Sequence, residues 1–412
     1  MFIRLALIGR GGDFLIPTVT VVMPTYNRAH LISRAIESVL SQDFKDFELI
    51  VVDDGSVDNT KEVVTSFQDP RVIYIKQENK GVAAARNTGL RLAKGRYITY
   101  CDDDDTLFPD TLSTMASYLD HHPEIGLVYG DVIRKPIKGL SASGYPDRAV
   151  DFRCVDFNKE RLEVDCYLRV PGTMHRKECL KTAGLWDEDE ILAKYGCSDY
   201  DFWLRVADDW RFAHIPQIVA RAYVHTSNFL HRRNDILTRI YIARKRLKKF
   251  KQISNGNHVA PYLGYYSRLF QILFWISEDH SKKGEAFCKK IVEAAGEFAS
   301  LDRENFEIWL TLCFCFHTQG DKEKAIEAGE KGLVLLPSHF EFSRFGYLDD
   351  VPPLWMRNTC TFLAQALAEK GEMGLALRCA EKAPEFSKAI QAEPERTKTK
   401  LWFNYFRGKW KS

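Results

Sequence analysis

The sequence predicts an α/β fold in which a domain built on a mostly parallel sheet with helices on both faces precedes an all-α helical-repeat domain. Three observations predict it. Short β-branched runs alternate with amphipathic stretches through residue 101, acidic residues follow several of those runs directly, and beyond residue 256 the pattern turns helical with small residues at repeating offsets.

The elements follow in order. Thr18 to Met23 (TVTVVM) reads as a strand, and Asn27 to Gln42 carries Leu31, Ala35, Ile36, Val39 and Leu40 at helical spacing. Phe47 to Val52 is the next strand, Asn59 to Phe67 a helix, Val72 to Lys76 a strand, Gly81 to Leu92 a helix and Arg96 to Cys101 a strand. From Gly130 to about Arg169 the pattern weakens around Pro136, Gly139, Gly144 and Pro146, which suits loops and cover on the same domain. A strand over Ile218 to Val224 ends the domain. Asn234 to Ser254 combines Ile236, Ile240, Ile242, Leu247 and Phe250 with six Lys and Arg residues from Arg244 to Lys251, a basic amphipathic helix. The expected organisation is a lead over 1–17, a first domain over 18–233, a basic helical linker over 234–256, a helical domain over 257–395 and a tail over 396–412.

Composition sets limits on the function. With 45% hydrophobic and 28% charged residues in 412, the chain has material for two or three folded cores. Lysine plus arginine, 58, nearly balances aspartate plus glutamate, 56, so net charge gives no reason to expect nucleic-acid binding. The ten cysteines contain no C-x-x-C, and Cys313 and Cys315 sit inside a helical pattern, so reduced, packed thiols are expected rather than disulfides or a zinc site. No run approaches the ~18 apolar residues that cross a bilayer. A cytoplasmic protein is expected, with membrane contact at most peripheral at the inner face.

In an open parallel sheet the ligand lies beyond the carboxyl ends of the strands. The residues there are Thr25-Tyr26-Asn27, Asp53-Asp54-Gly55-Ser56 and Asp102-Asp103-Asp104-Asp105. Four adjacent carboxylates repel one another unless cations or donors neutralise them. A hard divalent cation does so by joining one or two carboxylates to substrate phosphates, whereas an isolated acidic run is more simply a solvated loop. The second carboxylate pair, opening into the same crevice, favours the cation. A carboxylate at Asp53 or Asp54 can accept from base N–H or ribose hydroxyl groups, and Tyr26 either stacks on a base or caps the core.

The segments VVMPTYNR, ELIVVDDGSVDNT, ENKGVAAARNTGL and GRYITYCDDDDTLFPD resemble, in order and spacing, the motifs of family 2 inverting glycosyltransferases with the A-type nucleotide-diphospho-sugar transferase fold. The resemblance covers Thr18 to about His225. It implies a nucleotide-binding set of Pro24, Thr25, Tyr26, Asp53, Asp54, Arg86, Asp102 and Asp103. Tyr26 would stack on the base, Asp54 read its N–H, Asp103 or Asp102 meet the ribose and Arg86 face the donor diphosphate. Asp104 would hold a divalent metal, Mn²⁺ or Mg²⁺, with His225 as a further metal or diphosphate contact; four acids in a row leave that register open by one.

Further on, GTMHR and GLWDE resemble the acceptor-side segments, and Ser198-Asp199-Tyr200-Asp201-Phe202-Trp203-Leu204-Arg205 resembles the E-D-x-x-x-W-x-R element. Asp199 falls on the catalytic base, and Trp203 and Arg205 on the acceptor side. Ser198 stands where glutamate is more frequent, which bears on acceptor positioning. Without the resemblance, Asp199 would read as a helix N-cap.

From Phe306, the residues Trp309, Leu312, Phe316, Gly320, Ala325, Gly329, Gly332 and Pro337 fall where a tetratricopeptide hairpin of ~34 residues has its packing positions. A weaker copy from Arg357 places Leu363, Ala364, Leu367, Gly371, Ala376, Ala380 and Ala383 likewise, with Cys360 at the usual tryptophan. Such repeats imply a protein partner or self-association.

The expected activity is therefore metal-dependent, inverting transfer of a sugar from a nucleotide-diphosphate donor, with uridine favoured through the resemblance. The acceptor is a hydroxyl of a glycan, a lipid-linked glycan or a protein, in cell-surface polysaccharide or glycoconjugate synthesis. A sugar-phosphate nucleotidyltransferase would open with a glycine-rich phosphate loop where this chain has Pro24-Thr25-Tyr26-Asn27, and Gly9-Arg10-Gly11-Gly12 lacks the G-x-G-x-x-G spacing and a following helix. The remaining alternative is an inactive transferase-like scaffold whose repeats bind a partner.

Overall fold

The computed structural model describes residues 16–136, 150–152, 154–164 and 166–224, then 238, 241–246, 248–249, 289, 292–293, 295–296, 303, 306–335, 362–367, 369 and 376. The chain divides into two units, Met1–Thr238 and Arg239–Ser412.

In the first unit, β1 (Val19–Thr25) pairs in parallel with β2 (Phe47–Asp53) on one side and β4 (Tyr97–Tyr100) on the other. Beyond β2 lies β3 (Val72–Lys76), also parallel. β1 and β2 are buried at every position, which is why both read as unbroken apolar runs rather than alternating ones. Helix α1 (Ile32–Leu40) buries Ile32, Ala35, Ile36 and Val39, and α2 (Thr60–Ser66) follows β2. Helix α3 (Val82–Leu92) lies so close to β1 that a Cβ on Gly89 would meet Val22 Cγ1 at 2.5 Å.

The remaining strands make the sheet mixed rather than mostly parallel. β5 (Thr106–Leu107), β6 (Ile125–Pro136), β7 (Val150–Phe152), β8 (Thr173–Arg176) and β9 (Arg211–Val224) complete a nine-stranded sheet ordered β3-β2-β1-β4-β8-β6-β9-β5, with β7 paired to β6. β8 runs antiparallel between β4 and β6, and β5 antiparallel to β9. Strand direction here depends on long-range pairing, which local alternation does not encode.

The stretch with the weak pattern is partly strand. β6 extends through Gly130 to Pro136, and its register with β9 shifts between Gly130 and Asp131, so strict alternation is lost. The first helix begins at Ile32 instead of Asn27, because Asn27 takes φ of 52° and residues 28–31 form a turn. Helix α4 (Thr111–His121) packs against β6, and α5 (Lys159–Val164), α6 (Leu180–Ala183), α7 (Glu190–Tyr195) and α8 (Ser198–Val206) follow. Among the described cysteines, all seven are free.

In the second unit, helices Phe306–Thr318 and Lys322–Leu335 pack on each other across a turn at Gly320, whose φ is +79°. A Cβ on Gly332 would meet Leu310 at 2.9 Å and one on Gly329 would meet Leu363 at 2.3 Å, so the small residues permit close helix approach. Of the second proposed copy, Leu363, Ala364, Leu367 and Ala376 are described; Arg357, Cys360, Gly371, Ala380 and Ala383 lie outside the described residues, as does Pro337. Residues 241–246 and 248–249 of the basic segment are helical. Among the described residues, no helix is long and apolar enough to cross a membrane.

Candidate active site

Adjacent parallel pairing in the order β2, β1, β4 brings the loops after these strands to one edge of the sheet. The β1 and β2 ends are tied together: Asp54 N donates to Thr25 O at 2.9 Å, Asn27 N to Ser56 Oγ at 2.9 Å, and Val57 N to Asn27 Oδ1 at 2.8 Å. Tyr26 projects from this junction 46% exposed, as a base-stacking side chain must.

The two acids after β2 have separate tasks. Asp53 is fully buried; Oδ1 accepts from Ser56 N at 2.7 Å and Oδ2 from the Tyr74 hydroxyl at 2.5 Å. Through these contacts it forms the turn after β2. Pro24 is likewise buried, within β1. Asp54 accepts from Gln77 Nε2 at 2.7 Å and from the backbone N–H groups of Lys80 and Gly81 at 2.9 and 2.8 Å. It thereby holds the start of α3, where Gly81 has φ of +88°.

Each acid of the run after β4 has its own surroundings. Arg86 donates through Nη2 to both oxygens of Asp102, at 2.7 and 3.1 Å. Burial raises the Asp102 carboxyl from the ordinary value against the opposing pull of Arg86. Thr25 Oγ1 donates to Asp103 at 2.7 Å, and burial, then the Asp104 charge, push the Asp103 carboxyl up to about 7. Asp105 turns away to accept Tyr223 N at 3.0 Å, pinning the end of β9; burial and Asp104 raise its carboxyl strongly. Asp104 faces Arg28 Nη1 at 3.5 Å, while its carbonyl accepts from Arg34 Nη2 at 2.9 Å.

This geometry fits a divalent cation shared with a ligand. Among the described residues, no three His, Cys, Asp or Glu side chains could hold a metal by themselves. Asp102, Asp103 and Asp105 accept hydrogen bonds at 2.7 to 3.0 Å, and Asp104 faces Arg28 Nη1 at 3.5 Å. A single carboxylate completed by phosphate oxygens and water is the manner in which Mg²⁺-like ions are commonly bound. His225 lies outside the described residues.

The opposite wall is α8. Gly196 and Cys197 take φ of 90° and 66° in succession, so the chain enters the helix through two left-handed residues and places Asp199 in its first turn. Asp199 Oδ1 accepts from Tyr200 N at 2.9 Å. Its charge acts on both Arg86 and Asp102, which brings the first turn of α8 within electrostatic reach of the sheet edge. Burial opposes the charge on Arg86, but Asp102 and then Asp199 outweigh it and raise its basicity.

Trp203 and Arg205 lie on the same helix as Asp199. Trp203 is fully buried, and Arg205 donates from Nε to Asp201 Oδ2 at 2.8 Å and from Nη1 to the Ala183 carbonyl, tying α8 to the end of α6. Trp203 follows Asp199 by one helical turn and is buried at that depth of α8, and Arg205 lies two residues further on.

Below them lies an aromatic platform that sequence reasoning missed. Trp186 stacks on Phe202 at 4.8 Å and meets Tyr100 edge-on at 5.1 Å, and Arg86 lies 4.5 Å above its ring. Asn87 clasps the Trp186 backbone, accepting from its N–H at 2.8 Å and donating to its carbonyl at 2.9 Å. The signal was present in the AAARN and GLWDE segments, but nothing local showed that they meet.

Tyr100 also pairs with His175 Nε2 at 2.9 Å. His175 Nδ1 lies 2.9 Å from the Arg176 carbonyl, which can only accept, so Nδ1 carries the proton and Tyr100 donates to Nε2 while accepting from Trp186 Nε1 at 3.1 Å. Burial pushes His175 from 6.5 down to about 4. The fully buried ring thus favours its neutral form by about 3 kcal/mol, a contribution present above pH 6.5 and lost as pH falls from 6.5 towards 4. The urea midpoint should decline across that window in the native chain. His175→Gln, weaker at pH 7, should show a flatter profile; an equal decline in both would assign the loss to other groups.

A family model described as Glycosyl transferase family 2 matches residues 20–143. An uncharacterized glycosyltransferase of Methanocaldococcus jannaschii is 30% identical over 255 residues, covering 60% of this chain and 84% of that protein. The chondroitin synthase of Escherichia coli is 28% identical over 261 residues, 60% of this chain but 36% of the synthase. S. aureus TarS 1-349 in complex with UDP-GlcNAc is structurally similar with a TM-score of 0.55, covering 79% of this chain and 95% of that one. At 16% identity that likeness shows the fold.

Proposed function

The chain belongs to glycosyl transferase family 2, and from that premise we propose that it transfers a sugar, with inversion, from a nucleotide-diphosphate donor to a hydroxyl acceptor. The observation that carries this reading is the Arg86–Asp102 pair at the end of β4, beside Asp103 and Asp104 and within electrostatic reach of Asp199 in the first turn of α8, cations and acids for the donor near an acid for the acceptor. The UDP-GlcNAc complex of TarS and the name of the chondroitin synthase support a UDP-sugar and a glycan acceptor in cell-surface polysaccharide or glycoconjugate synthesis.

Each residue contributes a defined step. Tyr26 offers an aromatic face to the base, and Asp54, anchored by the start of α3, presents its carboxylate edge beside it. Asp103, steadied by Thr25, or Asp102 would meet the ribose. Asp104 would hold a divalent metal, Mn²⁺ or Mg²⁺, which when bound would supply positive charge at the leaving diphosphate. Arg86, fixed between Asp102 and Trp186, adds a cation at the same wall. Asp199 accepts the acceptor proton as the hydroxyl attacks the anomeric carbon from the face opposite the diphosphate, and a single displacement gives inversion.

Residues 18–233 would form this catalytic domain and 234–256 a basic linker. The helices of 257–395, as tetratricopeptide-like hairpins, would dock a protein partner or a second copy; the close approaches at Gly329 and Gly332 support that reading.

Calorimetry of UDP binding with Mn²⁺, with Mg²⁺ and with chelator tests the donor site. We expect binding to depend on metal and Asp104→Ala to abolish that dependence. A chain that binds neither UDP nor another nucleoside diphosphate would instead be a scaffold.

A further inference from the structure

Asp54 is 4% exposed, and most of its capacity to accept hydrogen bonds is already used within the fold. A carboxylate offers about four acceptor positions, two on each oxygen. Among the described residues three donors reach it: Oδ1 accepts from Gln77 Nε2 at 2.7 Å and from Lys80 N at 2.9 Å, and Oδ2 accepts from Gly81 N at 2.8 Å. Oδ1 is therefore filled, and Oδ2 keeps one position for a ligand.

Two of these donors are backbone groups that come with the start of α3, and the third is the side chain of Gln77, just beyond β3. That side chain is fixed from several sides. Its Oε1 accepts from Thr88 Oγ1 at 2.6 Å, and its backbone N–H donates to the Asp53 carbonyl at 2.9 Å. The Asp54 carboxylate only accepts, so the amide turns its NH₂ to Asp54 and its oxygen to Thr88. The loop that Gln77 opens is pressed against the turn after β2. A Cβ on Gly55 would stand 3.0 Å from Asn79 N and 3.4 Å from the Gln77 carbonyl, and Lys76 Nζ donates to the Ser56 carbonyl at 2.7 Å. A relay Thr88–Gln77–Asp54 thus joins α3 to the ends of β3 and β2.

Resting on the donor-site reading above, in which Asp54 meets the base, we propose that Gln77 sets which base the site admits: by filling Oδ1 it leaves Asp54 one acceptor position, which suits the single imide N–H of uracil and rejects guanine. Guanine presents N1–H and N2–H side by side, and a carboxylate takes both only with an open position on each oxygen. With Oδ1 filled, one of those N–H groups is brought against Asp54 without a partner, and an unmade hydrogen bond in a buried site is costly. Gln77 is then a positioning residue that acts through Asp54, and Thr88 holds it in place.

Calorimetry of UDP and of GDP on the full chain, each with saturating Mn²⁺, tests this through the ratio of the two dissociation constants. The native chain should bind UDP more tightly. Gln77→Ala reopens Oδ1, so the preference for UDP should narrow about tenfold, the scale of one hydrogen bond to a charged group. A mere loss of pocket shape would weaken both nucleotides and leave the ratio in place. Thr88→Val, nearly isosteric, releases the amide without removing it and should narrow the ratio by a smaller factor. Circular dichroism checks the fold; should Gln77→Ala not fold, Thr88→Val decides, and an unchanged ratio there overturns the inference. A native chain that binds GDP as tightly as UDP, or a folded Gln77→Ala chain whose ratio is unchanged or that has lost both nucleotides, overturns the inference while the donor site stands. A native chain that binds neither nucleotide overturns the donor-site reading and the inference with it.

Discussion

Asp199→Asn should lower the rate of sugar transfer by about 10²- to 10⁴-fold while leaving UDP binding in the presence of metal unaltered. The factor is that of a positioned general base removed from a reaction that still has its charge stabilisation. Asparagine keeps the size of the side chain and an oxygen able to accept from Tyr200 N, so the entry into α8 through Gly196 and Cys197 should survive. The split between lost turnover and retained nucleotide binding separates the two walls of the crevice. A variant transferring sugar at the native rate would remove Asp199 from the chemistry, and one that also lost UDP binding would place it among the donor contacts.

Trp203→Ala should destabilise the first unit by about 3–5 kcal/mol, the usual range for removing a large buried aromatic. Trp203 is fully buried and meets Tyr100, His175, Trp186 and Phe202 with ring centroids between 5.1 and 6.4 Å. Its indole N–H, though buried, has no hydrogen-bond partner among the described residues. Trp203→Phe should therefore be much milder, because it removes that unsatisfied donor along with part of the ring; an unmade buried hydrogen bond costs ~1–3 kcal/mol. Urea denaturation of both variants decides the matter. Equal losses would mean that the N–H has a partner after all, and a mild effect of alanine would contradict the platform as a support for Arg86.

The platform also connects stability with chemistry. Arg86 can hold Asp102 in one orientation because Trp186 lies under its guanidinium, and Trp186 is placed by Asn87 from α3 and Tyr100 from β4. Elements from both halves of the mixed sheet therefore meet beneath one ion pair. The antiparallel insertion of β8 between β4 and β6 carries His175 under Tyr100 and completes that support.

Several parts of this architecture were legible in residue order because they depend on neighbours in the chain. β1, β2 and β3 alternate with α1, α2 and α3 at periods that a single segment displays, and the acids after β2 and β4 follow from the rule that parallel strands end at the ligand. Asp102, Asp103 and Asp104 do converge with Thr25, Arg86 and Arg28 at one edge. The resemblance of four ordered segments to family 2 glycosyltransferases lay in the same local text, and the family match agrees with it.

Only the tertiary structure decided how those residues divide the work. Asp53 and Asp54 are adjacent and chemically identical, yet one is closed inside a turn by Tyr74 from β3 and the other braces the start of α3. Trp203 and Arg205 share a motif with Asp199, yet Trp203 is fully buried among aromatic rings and Arg205 is tied to Asp201 and the Ala183 carbonyl, while Arg28 stands beside Asp104. Sequence determined which segments form strands and helices and which chemical groups stand at their ends. Burial, partner identity and strand direction depend on residues tens of positions away, and so only the packed fold could assign them.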